Sequence, residues 1–315
     1  MLFCGIDTSN YTTSVAVCDI DGNIVANLKR PLPVKDGERG LRQSDAVFAH
    51  VKNLPDIMRE LSALVGGRRI CAVGVSAQPR DNADSYMPCF LTGVAAAEAF
   101  CAGCSAPLYR LSHQQGHIMA AYSTSGAIDD VKDSFLAFHV SGGTTEILKV
   151  KLNATDLDVQ LVGGTSDLNA GQAVDRVGVR LGYAFPCGPA MEKVAEAFDG
   201  KTAPLKTSVK GLECNLSGLE NNAEKLISGG EAPEAVCAYV FAFLSKTFSK
   251  LAQNAREQCG DLPIVWAGGV MSNKIIQSRL SSLGNCYFTK PEYSSDNAVG
   301  TALLARKRYI YENGL

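Results

Sequence analysis

The sequence predicts an α/β fold built from two similar lobes. Residues 135–151, FLAFHVSGGTTEILKVK, read as two apolar runs joined by a glycine turn, which is the pattern of a tight β-hairpin. Residues 3–17, FCGIDTSNYTTSVAV, repeat that pattern, with Ser9 aligned on Ser141 and the Thr-Thr pair at 12–13 on the pair at 144–145. Strand-type and helix-type segments also alternate in both halves, as in α/β proteins.

A hairpin that recurs predicts an internal duplication, here of one βββαβα unit. Two such lobes, each opening on a turn able to hold phosphate, are typical of the actin, hexokinase and Hsp70 class. We therefore predict a two-lobed actin-like ATPase (ASKHA) fold, with nucleotide bound between the two hairpins. Two unrelated α/β domains are the alternative, since a glycine hairpin on its own is more often only a hairpin.

The first lobe is assigned to residues 1–131. The polar turn DIDGN at 19–23 separates the hairpin from a third strand at 24–29. Helical periodicity follows at 41–65, a buried strand at 69–76, an alanine-rich helix at 90–100 and a short strand at 108–111.

The second lobe is assigned to residues 132–297, and a last helix at about 298–315 is expected to pack back on the first lobe. After its hairpin come a strand at 159–163 and helices at 168–181, with Asp167 as N-cap, and at 188–198. Residues 201–218 look irregular, and a long helix covers 233–257. A strand at 264–267, a helix from Ser272 and a strand at 286–288 complete the lobe.

Composition favours a soluble globular protein of the cytoplasm. Of 315 residues, 46% are apolar and 20% charged, and no apolar run approaches the length of a membrane span. The eleven cysteines are scattered and no signal peptide is recognisable, which indicates a reducing compartment. The net charge of −2 gives no general attraction to nucleic acid, so binding of RNA would need a local patch or another subunit.

The segment SHQQGH, residues 112–117, carries two of the four histidines. If Ser112 caps a helix, His113 and His117 lie one turn apart on one face, within reach of one metal ion. Two ordinary helix-surface histidines are the competing interpretation. A zincin-type protease is excluded, because Gln114 stands where that motif needs a glutamate base.

Three further segments carry candidate ligand-binding residues. A strand runs into Gly268-Gly269 and a helix near Asn273, a turn that lets a ligand approach the backbone. Asp175 lies one helical turn after Gly171 and is either a ribose-hydroxyl acceptor or a solvent-facing carboxylate. Asp296 is either a third metal ligand or simply the cap of the last helix.

Seven motifs in order resemble the TsaD family, the threonylcarbamoyl-transferring enzymes of tRNA modification once described as O-sialoglycoprotein endopeptidases. GIDTS at 5–9 is similar to the family's GIETS, HQQGH at 113–117 to HxxGH, and VSGGTTEI at 140–147 to VSGGHTQL. The segment GQAVDRVGVRLGYAFPCGPAM at 171–191 is similar to GEAFDKxAKLLGLxYPGGPxx. NLSGLEN at 215–221, AGGVMSN at 267–273 and PEYSSDNA at 291–298 resemble SFSGLKT, AGGVxxN and PxxCTDNxA.

The resemblance implies a metal- and nucleotide-binding transferase. It implies a divalent metal (Zn, Fe or Mg) and, as nucleotide, ATP or threonylcarbamoyl-AMP, with tRNA as acceptor and a TsaB-like heterodimer partner or a homodimer. The implied roles are as follows: metal ligands His113, His117 and Asp296; catalytic residues Asp7, Ser9 and Asn10; phosphate contacts Ser141, Gly142, Gly143 and Thr144; ribose contacts Asp175 and Gly188; adenosine contacts Gly268, Gly269 and Asn273.

The departures from the family pattern concern acids and bases. Tyr11 and Thr12 stand where the family has an acidic pair, and Gln115 and Gln172 where it has glutamates. Thr144 replaces a histidine and Glu220 a lysine. The metal ligands look kept while the acid–base groups look reduced, so two alternatives stay open: a weakened paralogue acting as a nucleotide-binding regulatory or assembly partner, and a carbamoyltransferase for a small molecule.

Overall fold

The computed structural model describes residues 1–9, 11–33, 41–82 and 84–315. The chain divides into two compact units. The first consists of Met1–Thr124, Leu152–Asp158 and Ser295–Leu315, and the second of Ser125–Lys151 and Val159–Ser294.

The first unit is a β-sheet in the strand order β3-β2-β1-β4-β5, with β1 antiparallel to β2 and parallel to β4. Strands β1, β2 and β4 are buried along nearly their whole length. The strands are β1 Leu2–Thr8, β2 Thr12–Asp19, β3 Ile24–Pro31, β4 Ile70–Gln78 and β5 Leu108–Ser112. The helices are α1 Gln43–Val65, α2 Cys89–Cys104, α3 His113–Thr124 and the last helix of the chain, Val299–Asn313.

Glycines bring the last helix close to the sheet and to α3. A Cβ at Gly5 would lie 2.3 Å from the carbonyl oxygen of Ala298, and one at Gly300 would lie 1.8 Å from that of Gly116. Only a residue without a side chain fits at such contacts. Because Asp296 comes just before this helix, the same packing brings its carboxylate to the start of α3.

The second unit contains a sheet in the order β12-β11-β6-β7-β8-β10-β9. Its strands are β6 Ser134–Val140, β7 Thr145–Leu152, β8 Leu157–Thr165, β9 Ser208–Lys210, β10 Glu213–Asn215, β11 Ile264–Ala267 and β12 Cys286–Phe288. Its helices are α4 Ala127–Asp130, α5 Ala170–Arg180, α6 Gly188–Ala195, α7 Ser217–Ser228, α8 Pro233–Cys259 and α9 Lys274–Ser281, so the last helix of the chain is α10. Trp266 lies at the centre of its core, fully buried against Phe138 and Phe248.

The predicted duplication is confirmed by the two strand orders. Strands β8-β7-β6-β11-β12 repeat the order β3-β2-β1-β4-β5, and the central pair is parallel in both sheets. The second copy differs by an insertion, α5 to α7 with β9 and β10, between its third and fourth strands.

Two details of the predicted elements were wrong. Residues 201–218 are not irregular throughout: they contain β9 and β10 and lead into α7, which the sequence reading missed. Asp167 does not cap α5, whose N-cap is Asn169. The Asp167 carboxylate instead accepts hydrogen bonds from the backbone N–H groups of Leu168, Leu216 and Ser217, and these bonds hold the start of α7.

Helix α8 is long and apolar enough to cross a membrane by length and composition. However, 78% of its most apolar 18-residue window is buried inside the protein. Its apolar side chains, including Phe241, Phe243 and Phe248, belong to the core of the second unit, which accounts for its composition.

Candidate functional site

His113, His117 and Asp296 come together in the first unit as a compact group of potential metal ligands. The Nε2 atoms of the two histidines are 3.0 Å apart, and they lie 3.7 and 3.2 Å from Oδ1 of Asp296. Ser112 caps α3 as predicted, since its hydroxyl oxygen accepts the backbone N–H of Gln115 at 3.2 Å. Asp296 is not the cap of α10, because the Asn297 side chain accepts the backbone N–H of Val299.

Asp7, at the end of β1, orients the first of these histidines. Its Oδ2 lies 2.7 Å from Nδ1 of His113, and the side chain is almost fully buried. A carboxylate can only accept, so Nδ1 carries a proton, and Nε2 is the ring nitrogen that faces Asp296 and His117. This carboxylate–imidazole pair is the usual support of a metal-bound histidine.

Ser9 joins the same group through two contacts. Its backbone N–H donates to Oδ1 of Asp7 at 2.9 Å, and its hydroxyl donates to Oδ2 of Asp296 at 3.2 Å. Of the three residues predicted to be catalytic, Asp7 and Ser9 therefore lie beside the histidine pair. Asn10 lies outside the described residues.

The charges of the group are mutually dependent. Burial lowers the pKa of His113, but the Asp7 and Asp296 carboxylates outweigh burial and raise it to about 9. Burial raises the pKa of Asp296, but the hydrogen bond from His117 and the charge of His113 together bring it below its usual range. Without a metal ion, His113 is protonated at neutral pH and lies between the carboxylates of Asp7 and Asp296.

The donor set fits a divalent transition metal. Two imidazole nitrogens and one carboxylate oxygen form a set used by Zn²⁺ and non-haem iron, whereas Mg²⁺ prefers oxygen ligands alone. The three ligand atoms come from α3 and from the segment before α10. A set of three protein ligands leaves at least one coordination position of such a metal for a substrate oxygen or water.

Gln115 has a structural reason to be an amide rather than a carboxylate. Its Oε1 accepts the backbone N–H of Ser112, which completes a capping box with the Ser112 hydroxyl. Its Nε2 donates to Oδ1 of Asp156 and to the Leu157 carbonyl, contacts that a glutamate cannot make. Gln172 likewise occupies the third position of a capping box, with Asn169 at the start of α5.

Three other departures lie in the turn after β1, in strand β2 and on α7. Tyr11 is 45% exposed in the turn after β1, and Thr12 is buried at the start of β2. Glu220 on α7 forms an ion pair with Arg176 on α5 at 3.0 Å. Neither Tyr11 nor Thr12 supplies a carboxylate to the His113–His117–Asp296 group.

The glycine turn after β6 is closed by its own serine. The backbone N–H groups of Gly143 and Thr144 donate to the Ser141 hydroxyl at 3.3 and 3.1 Å. The backbone of Gly142 packs against Gly171 at the start of α5, where an added Cβ would lie 2.7 Å from the Gly142 nitrogen. The backbone N–H groups of Gly143 and Thr144, which the sequence predicted to be open for phosphate, therefore already form hydrogen bonds within the turn.

A cavity of about 300 Å³ in the second unit gathers part of the predicted nucleotide set. Of the residues predicted to bind nucleotide, Gly142, Asp175, Gly188, Gly269 and Asn273 line it. Ser141, Gly143, Thr144 and Gly268 are not among its lining residues. Gly268 is needed for packing, since a Cβ there would lie 2.3 Å from the Val140 carbonyl oxygen.

Other residues line this cavity that the sequence reading did not select. Most of them are apolar or small residues, and one is a carboxylate on α6, Glu192. The others are Gly171, Val174, Pro186, Pro189, Phe241, Val270 and Ser272. Glu192 accepts the backbone N–H of Lys274, and Asp175 that of Cys187. Burial raises the pKa of Asp175.

The repeated sheet places the chain in the actin-like (ASKHA) fold class, and comparison with solved structures supports this fold class. The activator of 2-hydroxyisocaproyl-CoA dehydratase from Clostridium difficile has the same fold with a TM-score of 0.55. The two share 14% sequence identity, and the match covers 100% of this chain and 98% of that one.

Within this class, the chain belongs to the TsaD family, described as tRNA N6-adenosine threonylcarbamoyltransferase, whose profile matches residues 38–303. A tRNA N6-adenosine threonylcarbamoyltransferase of Thermus thermophilus is 30% identical, over 98% of this chain and 93% of that protein. The protein of the same name from Riemerella anatipestifer is 26% identical, over 98% of this chain and 93% of that protein. The family is one of transferases, as the motif resemblance implied.

Proposed function

We propose that this chain transfers the threonylcarbamoyl group from its adenylate to N6 of an adenosine in tRNA. The observation that carries the proposal is the convergence of His113, His117 and Asp296, with Asp7 bonded to His113 behind them. The family supports the reaction class and the tRNA substrate, since similar proteins are named as tRNA N6-adenosine threonylcarbamoyltransferases.

His113, His117 and Asp296 would hold the divalent metal, Zn or Fe by the donor set. When bound, the metal supplies a Lewis acid that polarises the activated carbonyl group. Asp7 fixes the tautomer of His113, and the Ser9 hydroxyl donates to Oδ2 of Asp296, the oxygen not bonded to His117. Asp7 and Ser9 would thereby hold the three metal ligands in place. The bound metal would then help to orient the acyl group for attack by the amine.

The cavity of the second unit would bind the adenylate. Gly142, Gly188 and Gly269 allow close approach to the backbone, and Asp175 carries a carboxylate suited to a ribose hydroxyl. The apolar side chains of Val174, Phe241 and Val270 suit a nucleobase face, since they offer apolar contact. ATP is the alternative occupant of the same site.

The net charge of −2 indicates that tRNA binding needs further positive charge from elsewhere. We propose that a second protein, TsaB-like in character, or a second copy of this chain contributes to the working assembly. We also propose residues 1–131, with the helix from about 298, and residues 132–297 as the functional lobes, with the cytoplasm as the place of action.

A weakened, regulatory paralogue is the second candidate, and one observation favours it: Tyr11 and Thr12 put no carboxylate beside the metal ligands. The transfer does not strictly need a carboxylate base at these positions, because the adenylate is already an activated acyl donor. Because His113, His117 and Asp296 are all retained, we favour an active transferase over a regulatory paralogue.

Reconstitution with threonylcarbamoyl-adenylate and tRNA tests the proposal. The native chain should modify tRNA, and His113→Ala should abolish product while keeping the fold. Modification that appears only in Tyr11→Asp would mean that the natural chain has lost catalysis. Carbamoylation of a small amine with no transfer to tRNA would point to a small-molecule carbamoyltransferase.

A further inference from the structure

His50 is a buried histidine that none of the sequence motifs includes. It lies on α1 with no exposed surface, and its ring reaches the turn that follows β1. Its Nε2 is 2.8 Å from the carbonyl oxygen of Ser9, and its Nδ1 is 2.8 Å from the hydroxyl oxygen of Thr13. Asn53, one helical turn further along α1, donates from Nδ2 to the same hydroxyl at 3.1 Å.

The direction of every hydrogen bond in this chain of contacts is fixed by chemistry. A backbone carbonyl only accepts, so Nε2 of His50 carries a proton and donates to Ser9. Burial lowers the pKa of His50, so the ring is neutral and its Nδ1 is an acceptor for the Thr13 hydroxyl. The Thr13 oxygen in turn accepts from Asn53. The order is therefore Asn53 to Thr13 to His50 to the Ser9 carbonyl.

Ser9 connects this chain of hydrogen bonds to the metal ligands. Its hydroxyl donates to Oδ2 of Asp296, while Oδ1 of the same carboxylate faces both imidazoles. Its backbone N–H also donates to Asp7, which holds His113. Ser9 therefore forms three hydrogen bonds: its amide bonds Asp7, its hydroxyl bonds Asp296, and its carbonyl accepts from His50 on α1.

We propose that His50 is a positioning residue of the metal centre. It holds the Ser9 carbonyl so that the Ser9 hydroxyl occupies Oδ2 of Asp296 and leaves Oδ1 for a metal ion shared with His113 and His117. This inference rests on the metal site of the proposed function. It predicts that His50 influences metal affinity although, in the described part of the chain, its ring hydrogen bonds go to Ser9 and Thr13 and not to His113, His117 or Asp296.

Two substitutions separate the contact with Ser9 from the mere presence of a polar side chain. The amide nitrogen of His50→Gln can take the place of Nε2 and donate to Ser9, whereas the shorter side chain of His50→Asn reaches only Thr13. We expect His50→Gln to bind Co²⁺ within about threefold of the native affinity. His50→Asn should bind it about 10- to 100-fold more weakly, as for other groups that support metal ligands.

A double-mutant cycle shows whether His50 acts through Ser9. Ser9→Ala removes the hydroxyl bond to Asp296 and should weaken Co²⁺ binding by a similar factor. If His50 acts through that bond, the double variant His50→Asn with Ser9→Ala binds no more weakly than the weaker of the single variants. Independent, multiplying losses would overturn the inference, because they would indicate general loosening of the fold.

The measurements are Co²⁺ titration by visible absorption, with circular dichroism to verify folding of each variant. Thr13→Val serves if His50→Asn does not fold, since it keeps the shape and removes only the hydroxyl that fixes the imidazole tautomer. Thr13→Val should weaken Co²⁺ binding several-fold, and unchanged affinity in this variant would count against the inference.

Native protein that binds no Co²⁺ overturns the proposed metal site and this inference with it. Native protein that binds Co²⁺ with an affinity that His50→Asn leaves unchanged overturns the inference alone.

Discussion

The Nε2 atoms of His113 and His117 lie 3.0 Å apart, with the two rings nearly perpendicular. At this distance two nitrogen lone pairs cannot face each other without repulsion, so a proton or a cation has to lie between them. Oδ1 of Asp296 faces the same point. The arrangement is therefore suited to exchange a proton for a metal ion.

Substitution of His117 should remove the metal. His117→Ala leaves one imidazole and one carboxylate, too few protein ligands for the three-ligand site that open metal centres use. We expect metal measured by mass spectrometry, in protein purified without chelator, to fall from near one equivalent to background. His139→Ala, in strand β6 of the second unit, is the matched control and should keep its metal. Full occupancy in His117→Ala would mean that these histidines are ordinary helix residues.

The metal-free protein should lose stability as the pH rises from about 6.5 to 9. The pKa of His113 is raised from 6.5 to about 9 in the folded protein, so its proton stabilises the fold fully below pH 6.5 and progressively less as the pH approaches 9. At about 1.4 kcal/mol per pH unit, the loss between pH 6.5 and 9 amounts to about 3.5 kcal/mol at most. Urea unfolding in the presence of a chelator at several pH values measures it.

Asp7→Asn is the control for that pH dependence. The substitution removes the carboxylate that contributes most to the raised pKa of His113 and leaves only Asp296, so the free energy of unfolding should change less between pH 6.5 and 9. The same steep decline in native protein and in Asp7→Asn would assign the effect to other groups.

The glutamine at position 115 should not be replaceable by the glutamate that the family motif has there. Gln115 is 3% exposed, and its amide donates to Asp156 and to the Leu157 carbonyl. A buried carboxylate facing these acceptors should cost about 2–4 kcal/mol. We therefore expect Gln115→Glu to lower stability in urea unfolding without raising tRNA modification.

Adding Asp156→Asn should recover part of that loss, because the new amide can donate to the glutamate. Higher activity in the single variant Gln115→Glu would instead mean that Gln115 marks a lost catalytic acid.

The sequence was informative where a local pattern has one structural outcome. The similarity between the hairpin sequences around Ser9 and Ser141 predicted two sheets with the same strand order, because strand pairing follows from hairpins and crossovers. The spacing of His113 and His117 predicted a shared face of one helix, since residues four apart are neighbours there.

It was less informative where contacts join distant segments. Nothing local to Asp167 shows that its carboxylate binds the start of α7 rather than α5. His50 gave one local signal, a polar residue within the buried stripe of α1 that includes Ala46, Leu54 and Ile57, but its partners Ser9 and Thr13 lie about 40 residues earlier.

Nucleotide binding should depend on the glycine at the start of α5. A Cβ at Gly171 would lie 2.7 Å from the nitrogen of Gly142, so Gly171→Ala has to displace the glycine turn that lines the cavity. We expect native protein at a hundredfold excess of adenylate over its Kd to gain about 2.7 kcal/mol of stability. Gly171→Ala should lose most of this gain in a thermal-shift titration.

Gly218→Ala is the matched control, since a Cβ there meets nothing within 4 Å and the residue is not part of the cavity lining. It should keep the full stabilisation by nucleotide. If Gly171→Ala is stabilised as strongly as the native chain, the nucleotide does not depend on this turn and the proposed adenylate site is wrong. If neither native protein nor Gly218→Ala is stabilised by millimolar ATP or adenylate with metal, a purely structural role for the second unit is favoured.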